Sequence, residues 1–233
     1  MKTQQKRKKS APKRGRTTST ASKVKRHPRS GRTQPKLRQP LDRSIVLVGL
    51  MGCGKSTIGI RLAKRLGWTF VDSDTEIETA AGQSITEIFE KFGEDEFRKG
   101  ERRVMKRLLD GTPQVIATGG GAFMDEETRT RIKDCALSVW LKADVPLLVE
   151  RTSRKDTRPL LKEGNPAEIL RALADKRYPI YAEANLTVET GLGPHDDVVD
   201  SLIEAINNYL ATGPAAGHTD FTTTPAQKNS SHD

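Results

Sequence analysis

The tightest constraint on this chain is the segment Gly49-Leu50-Met51-Gly52-Cys53-Gly54-Lys55-Ser56-Thr57, set directly behind the apolar run Ile45-Val46-Leu47-Val48. A G-x-x-x-x-G-K-[ST] segment between a strand and an amphipathic helix folds into a phosphate-binding loop. Its glycines let successive backbone N–H groups turn inward around phosphate oxygens, and the positive end of the following helix adds to their pull. The pattern assigns Gly52, Cys53, Gly54, Lys55, Ser56 and Thr57 to a bound nucleoside triphosphate. Lys55 is expected at the β- and γ-phosphates, and the Ser56 hydroxyl on a Mg²⁺ ion that bridges them. Cys53 and Cys135 are too few for a disulfide framework, and both are expected as reduced thiols.

Charge is divided unevenly along the chain. Residues 1–41 carry 15 Lys and Arg and no Asp or Glu, whereas residues 42–233 carry 25 basic and 30 acidic side chains. The net charge of +10 is therefore +15 from the leader and −5 from the remainder. A basic tail on a mildly acidic body does not make the whole protein a nucleic-acid binder. The leader has too few apolar side chains to offset the entropy of ordering, so residues 1–41 are expected to be disordered, with non-specific polyanion contact as their one foreseeable interaction. Residues 212–233, rich in Thr, Pro, Gly and Ser, are expected to form a second disordered tail. One compact domain is expected over 42–211. Neither a secretory signal nor an apolar run long enough to span a membrane occurs, and a cytoplasmic monomer with no membrane contact is expected.

Strands and helices alternate through the domain. Thr69-Phe70-Val71, Gln114 to Ala117, Leu137 to Leu141 and Leu186 to Val188 read as further short strands. Helical spacing recurs from Ile77 through Phe92, with Gly82 as an interruption and Ser84 and Glu87 as a capping box, then over about 94–109, 146–151, 166–181 and 198–210. The polar stretch 152–165, broken by Pro159 and Gly164, reads as a flap. This alternation predicts an α/β fold, a parallel sheet covered by helices on both faces, with ligands gathered beyond the carboxyl ends of the strands.

Three segments follow strand ends: the phosphate loop, Asp72-Ser73-Asp74 and Gly119-Gly120-Gly121. Two carboxylates at i and i+2 can be divided between a metal shell and a hydroxyl-bearing substrate. Arg98, Arg151, Arg158 and Arg177 lie in segments that face the same side of the sheet, and an arginine fork suits carboxylate or phosphate. Arg98 precedes Glu101 by three residues, so a helical ion pair can hold its guanidinium.

Taken in order, the phosphate loop, Asp72-Ser73-Asp74, Gly93-Glu94-x-x-Phe97-Arg98, the triple glycine and Arg158-Pro159-Leu160-Leu161 resemble shikimate kinase, a family of small P-loop kinases. Tyr178-Pro179-Ile180-Tyr181 after Arg177 is close to the family's Arg-x-Pro-Leu-Tyr, and Cys53 stands where Ala or Ser is usual. The resemblance spans about residues 44–210 and implies a P-loop NTPase-type three-layer fold with strand order 2-3-1-4-5. It implies transfer of the γ-phosphoryl of ATP to the 3-hydroxyl of shikimate. It places Asp74, Arg98, Gly119, Gly120, Gly121 and Arg177 around shikimate, with substrate-binding helices over about 74–110. Lys55, Arg151 and Arg158 are implied at ATP phosphates, with Lys55, Asp74 and Arg158 catalytic. Ser56, and Asp72 through water, are implied at Mg²⁺. Other P-loop kinases, acting on gluconate or a nucleoside monophosphate, are the nearest alternative, followed by an NTPase that binds nucleic acid through the leader. The combination of Asp-Ser-Asp, Phe97-Arg98 and Arg-Pro-Leu-Leu argues against the first two.

Overall fold

The computed structural model describes residues 34–153 and 164–213. Five parallel strands form one sheet in the order β2-β3-β1-β4-β5, as the resemblance implies: β1 Ser44–Val48, β2 Phe70–Asp72, β3 Val115–Ala117, β4 Ala136–Lys142 and β5 Leu186–Glu189. β1 lies at the centre because all five of its residues are buried, which only a strand covered on both faces allows. Each large apolar side chain there contributes about 1.5–3 kcal/mol through removal from water.

Handedness then fixes the layers. The crossover from β1 to β2, through α1 Lys55–Leu66, runs one way across the sheet, and those from β2 to β3, β3 to β4 and β4 to β5 run the other way. Since such crossovers are right-handed, α1 covers one face. The other face takes α2 Ser73–Ala81, α3 Ile85–Leu109, α4 Glu126–Cys135, α5 Val145–Ser153 and α6 Pro166–Tyr181. α7 His195–Thr212 returns to pack on α1, where Arg65 and Asp200 pair at 2.8 Å. The connections leaving neighbouring strands β1 and β3 go to opposite faces, and this switch point opens a crevice at their carboxyl ends. The phosphate loop and the triple glycine are the segments that border it. No helix among the described residues is long and apolar enough to cross a membrane.

Local signals account for most boundaries. Ser84 and Glu87 cap α3 reciprocally, Gly82 ends α2, and Asn165 caps α6 with Pro166 at its first position. Gly93, at φ 77° and ψ 178°, breaks the helical path of α3 in a conformation open to glycine alone, so the expected division near residue 94 is present as a kink between two helical stretches. α4 has no counterpart in the sequence periodicity because Thr128 and Ile132 are its only buried residues. Its start is set by Asp125, whose Oδ1 accepts from Thr128 N at 2.9 Å and Thr128 Oγ1 at 2.8 Å. α5 continues through Thr152 and Ser153, so the stretch expected as a flap is helical at its beginning.

The expected boundary of the leader also shifts. Residues 34–41, grouped by composition with the disordered leader, lie along α7. Asn207, 4% exposed, receives a hydrogen bond on Oδ1 from Arg38 N at 2.8 Å and donates from Nδ2 to Lys36 O at 2.9 Å. Leu37 and Leu41 pack against the core, and Arg38 pairs with Glu204 at 2.9 Å. Two apolar side chains and one amide clamp thus outweigh the local polar composition. Asn207→Ala leaves two backbone groups unpaired and is expected to lower stability by about 1–3 kcal/mol in urea unfolding. An unchanged midpoint would mean that the strap contributes nothing.

Candidate active site

Lys55 opens α1 behind the αL residue Gly54, and its Nζ donates to Gly49 O at 2.8 Å and Leu50 O at 3.1 Å. The ammonium therefore lies across the phosphate loop, held by carbonyls that a phosphate oxygen can replace. Arg151, in the last turn of α5, donates to Gly52 O at 3.4 Å and Gly191 O at 2.6 Å, tying the loop to the turn between β5 and α7. Cys53 is a buried thiol that packs inside the loop.

Asp72 ends β2 and divides its carboxylate between two tasks. One oxygen caps α2 by accepting from Asp74 N at 3.2 Å, and the other accepts from Ser56 Oγ at 2.8 Å. A hydroxyl and a carboxylate oxygen side by side at the phosphate loop are the hard donors that Mg²⁺ takes when phosphates and water complete its shell. Among the described residues no group of three or more His, Cys, Asp or Glu could hold a metal ion. Because Asp72 makes the cap of α2, the Asp74 side chain is left for other chemistry.

Asp74, Arg98, Arg177 and the triple glycine meet at the end of β3. A Cβ on Gly119 would lie 2.5 Å from Asp74 Oδ1, one on Gly120 3.1 Å from Arg177 Nη1, and one on Gly121 2.6 Å from Arg98 Nη1. The glycines thus leave room for three charged side chains of the site itself to lie in their present positions, before any ligand ring. Gly119 N is also engaged, donating to Ser73 Oγ at 3.1 Å, so not every amide of the loop faces a ligand.

The electrostatics of this cluster are uneven. Arg98 is bound to Glu101 at 2.7 Å and Glu94 at 2.9 Å, as the helical spacing suggested for Glu101. Glu101 is 1% exposed, and burial pushes its carboxyl above the usual range although Arg98 opposes this. Burial also raises Asp74, reinforced by the nearby Asp72 and Glu78 charges and countered by Lys55 and Arg98. Arg177 has no carboxylate partner among the described residues; its Nη1 donates to Gly120 O at 3.0 Å. One guanidinium is held by two glutamates, whereas the other rests on a carbonyl and can turn to an anionic ligand.

Arg158 lies outside the described residues. Thr57 is half-buried at the start of α1, behind Ser56. A groove of about 900 Å³ between α3 and α4 is lined by Lys99, Arg103, Met105 and Arg131 among others. It includes none of the expected site residues. Convergent charged groups at the switch point, rather than cavity size, locate the chemistry. Glu94, Ser73 and Tyr181, which also hold the site together, were given no site role by the sequence, whereas Glu101 was expected as the partner of Arg98; a lone Glu or Ser carries no distinguishing mark in a single sequence.

The chain matches the model of the family described as shikimate kinase over residues 51–207. It is 57% identical to a shikimate kinase of Caulobacter vibrioides over 169 residues, covering 72% of this chain and 84% of that protein. It is 55% identical to a shikimate kinase of Paramagnetospirillum magneticum over 179 residues, covering 77% and 92%. The fold superposes on a shikimate kinase from Acinetobacter baumannii in complex with shikimate with a TM-score of 0.69 and 42% identity, covering 71% of this chain and 93% of that one. Fold and sequence agree, and the chain belongs to the shikimate kinase family.

Proposed function

We propose that this protein transfers the γ-phosphoryl group of ATP to the 3-hydroxyl of shikimate, giving shikimate 3-phosphate and ADP. The observation that carries the reading is the contact of Asp74, Arg177 and Arg98 with three successive glycines beside the phosphate loop. A small ring with one carboxylate and three hydroxyls needs that mixture, guanidinium groups for the acid and a carboxylate for an alcohol.

Arg98 and Arg177 bind the shikimate carboxylate. Asp74 accepts a hydrogen bond from the 3-hydroxyl and aims its oxygen at the γ-phosphorus. Phosphoryl transfer through a loose transition state asks little of a base, so Asp74 orients first and takes the proton late. Lys55 exchanges its two carbonyl contacts for phosphate oxygens and stabilises the charge that develops on them. Arg158, from Arg-Pro-Leu-Leu, supplies a second cation, and Arg151 contacts the ATP phosphates from the far side of the loop. Ser56 and Asp72 would hold Mg²⁺, Asp72 through water; when bound, the ion neutralises charge between the β- and γ-phosphates.

ATP-dependent phosphorylation of shikimate by the purified protein tests the reading, with gluconate and a nucleoside monophosphate as rival acceptors. Turnover with either rival and none with shikimate would overturn it.

Asp74→Asn and Lys55→Met are each expected to lower turnover by about a hundredfold or more. The two differ in stability. A carboxyl whose pKa is raised in the folded state opposes folding once pH passes its ordinary value, and the cost is full above the raised value. Asp74→Asn is therefore expected to melt above the parent at pH 7, with the gap closing as pH falls through the raised value and below the ordinary 3.8. A lower melting temperature at pH 7 would contradict the raised pKa.

The same shift moves the acid limb of the pH–rate profile. Activity needs the Asp74 carboxylate, so kcat is expected to fall with decreasing pH around a midpoint above the ordinary aspartate value. A midpoint at or below 3.8 would show an unperturbed group. Arg98→Ala removes a partner present before and during reaction, and is expected to raise the KM for shikimate at least about tenfold while leaving that for ATP near its starting value.

A further inference from the structure

The triple-glycine loop has no side chains with which to hold itself in place, yet three charged groups rest against it. Its backbone partners are few enough to follow one by one. Gly119 O accepts from Ala122 N at 3.2 Å and Gly121 O from Met124 N at 2.9 Å, both within the loop and the 3₁₀ turn Ala122–Met124. Two contacts come from elsewhere in the fold. Gly119 N donates to the hydroxyl of Ser73 at 3.1 Å, and Gly120 O accepts from the hydroxyl of Tyr181 as well as from Arg177. Both hydroxyl-bearing residues are fully buried. The N–H groups of Gly120 and Gly121 are left without a partner among the described residues.

Each hydroxyl sits on an element that also carries a charged site residue. Ser73 precedes Asp74 at the start of α2, and Tyr181 ends α6, one turn beyond Arg177. Tyr181 is locked beneath the loop by Phe123 and Trp140, whose ring centroids lie 6.5 and 6.1 Å from its own. When Arg177 leaves Gly120 O for a carboxylate, Tyr181 is the donor that stays.

We propose that Ser73 and Tyr181 are positioning residues that clamp the triple-glycine loop from opposite sides, holding the N–H groups of Gly120 and Gly121 towards the acceptor substrate. The inference rests on the shikimate kinase reading above. Neither hydroxyl touches the reacting atoms; each acts through the backbone it holds. The consequence is specific to the acceptor, because the phosphate loop makes no use of either hydroxyl.

Tyr181→Phe and Ser73→Ala each delete one oxygen. Each is expected to raise the KM for shikimate about tenfold, the scale of one hydrogen bond that aligns a substrate, with the KM for ATP within about twofold of the parent. Tyr178→Phe is the matched control. Its hydroxyl, on the same helix, donates to Ala143 O at 2.5 Å, so its loss is expected to lower the melting temperature without moving either KM. The proposal is overturned if Tyr181→Phe and Ser73→Ala change melting temperature alone, as the control does, or raise both KM values alike. Should Tyr181→Phe not fold, Ser73→Ala decides by the same criteria. A parent protein that does not phosphorylate shikimate would instead remove the functional reading on which the inference stands.

Discussion

Three absent Cβ atoms set the geometry of this site. A Cβ at Gly119, Gly120 or Gly121 would come within 2.5, 3.1 or 2.6 Å of the tips of Asp74, Arg177 or Arg98, which would have to shift from their present positions. Charged groups from α2, α3 and α6 can therefore rest on one short stretch of backbone at the end of β3. The sheet brings that stretch beside the phosphate loop, since β1 and β3 are neighbours with connections to opposite faces. Chain handedness, strand order and glycine thus combine to bring nucleotide-binding and acceptor-binding groups together, although about 70 residues separate them along the chain.

Such a cluster holds carboxyls with raised pKa at Asp74 and Glu101, because burial works against their charge. The fold tolerates this by distributing opposite charges unequally. Arg98 is paired with Glu94 and Glu101, whereas Arg177 is parked on a carbonyl. A bound carboxylate would relieve the unpaired guanidinium, so binding and relief of electrostatic cost fall on the same atoms. A binding site less stable than its surroundings follows from that division. Rigidity comes from neutral groups instead, the buried hydroxyls of Ser73 and Tyr181 and the aromatic packing beneath them.

Much of this was legible in the residues. The phosphate loop states its own geometry, α6 runs over the expected 166–181, and the five strands fall where short β-branched or apolar runs lie between turn signals. Strand order came from a resemblance, not from periodicity, which cannot pair strands. The hidden parts have physical causes. α4 is mostly charged and buries two residues, so it shows no hydrophobic stripe. Residues 34–41 look like the basic tail before them, and their docking depends on Asn207, about 170 positions away. The triple glycine was visible as a segment after a strand end, but which atoms approach its backbone is a three-dimensional fact.

A crystal structure with shikimate and a non-hydrolysable ATP analogue tests the convergence most directly. The account predicts the shikimate carboxylate on Arg98 and Arg177, with the 3-hydroxyl within hydrogen-bond reach of Asp74 and facing the γ-phosphate. A ring bound elsewhere, or turned so that Asp74 meets no hydroxyl, would contradict it.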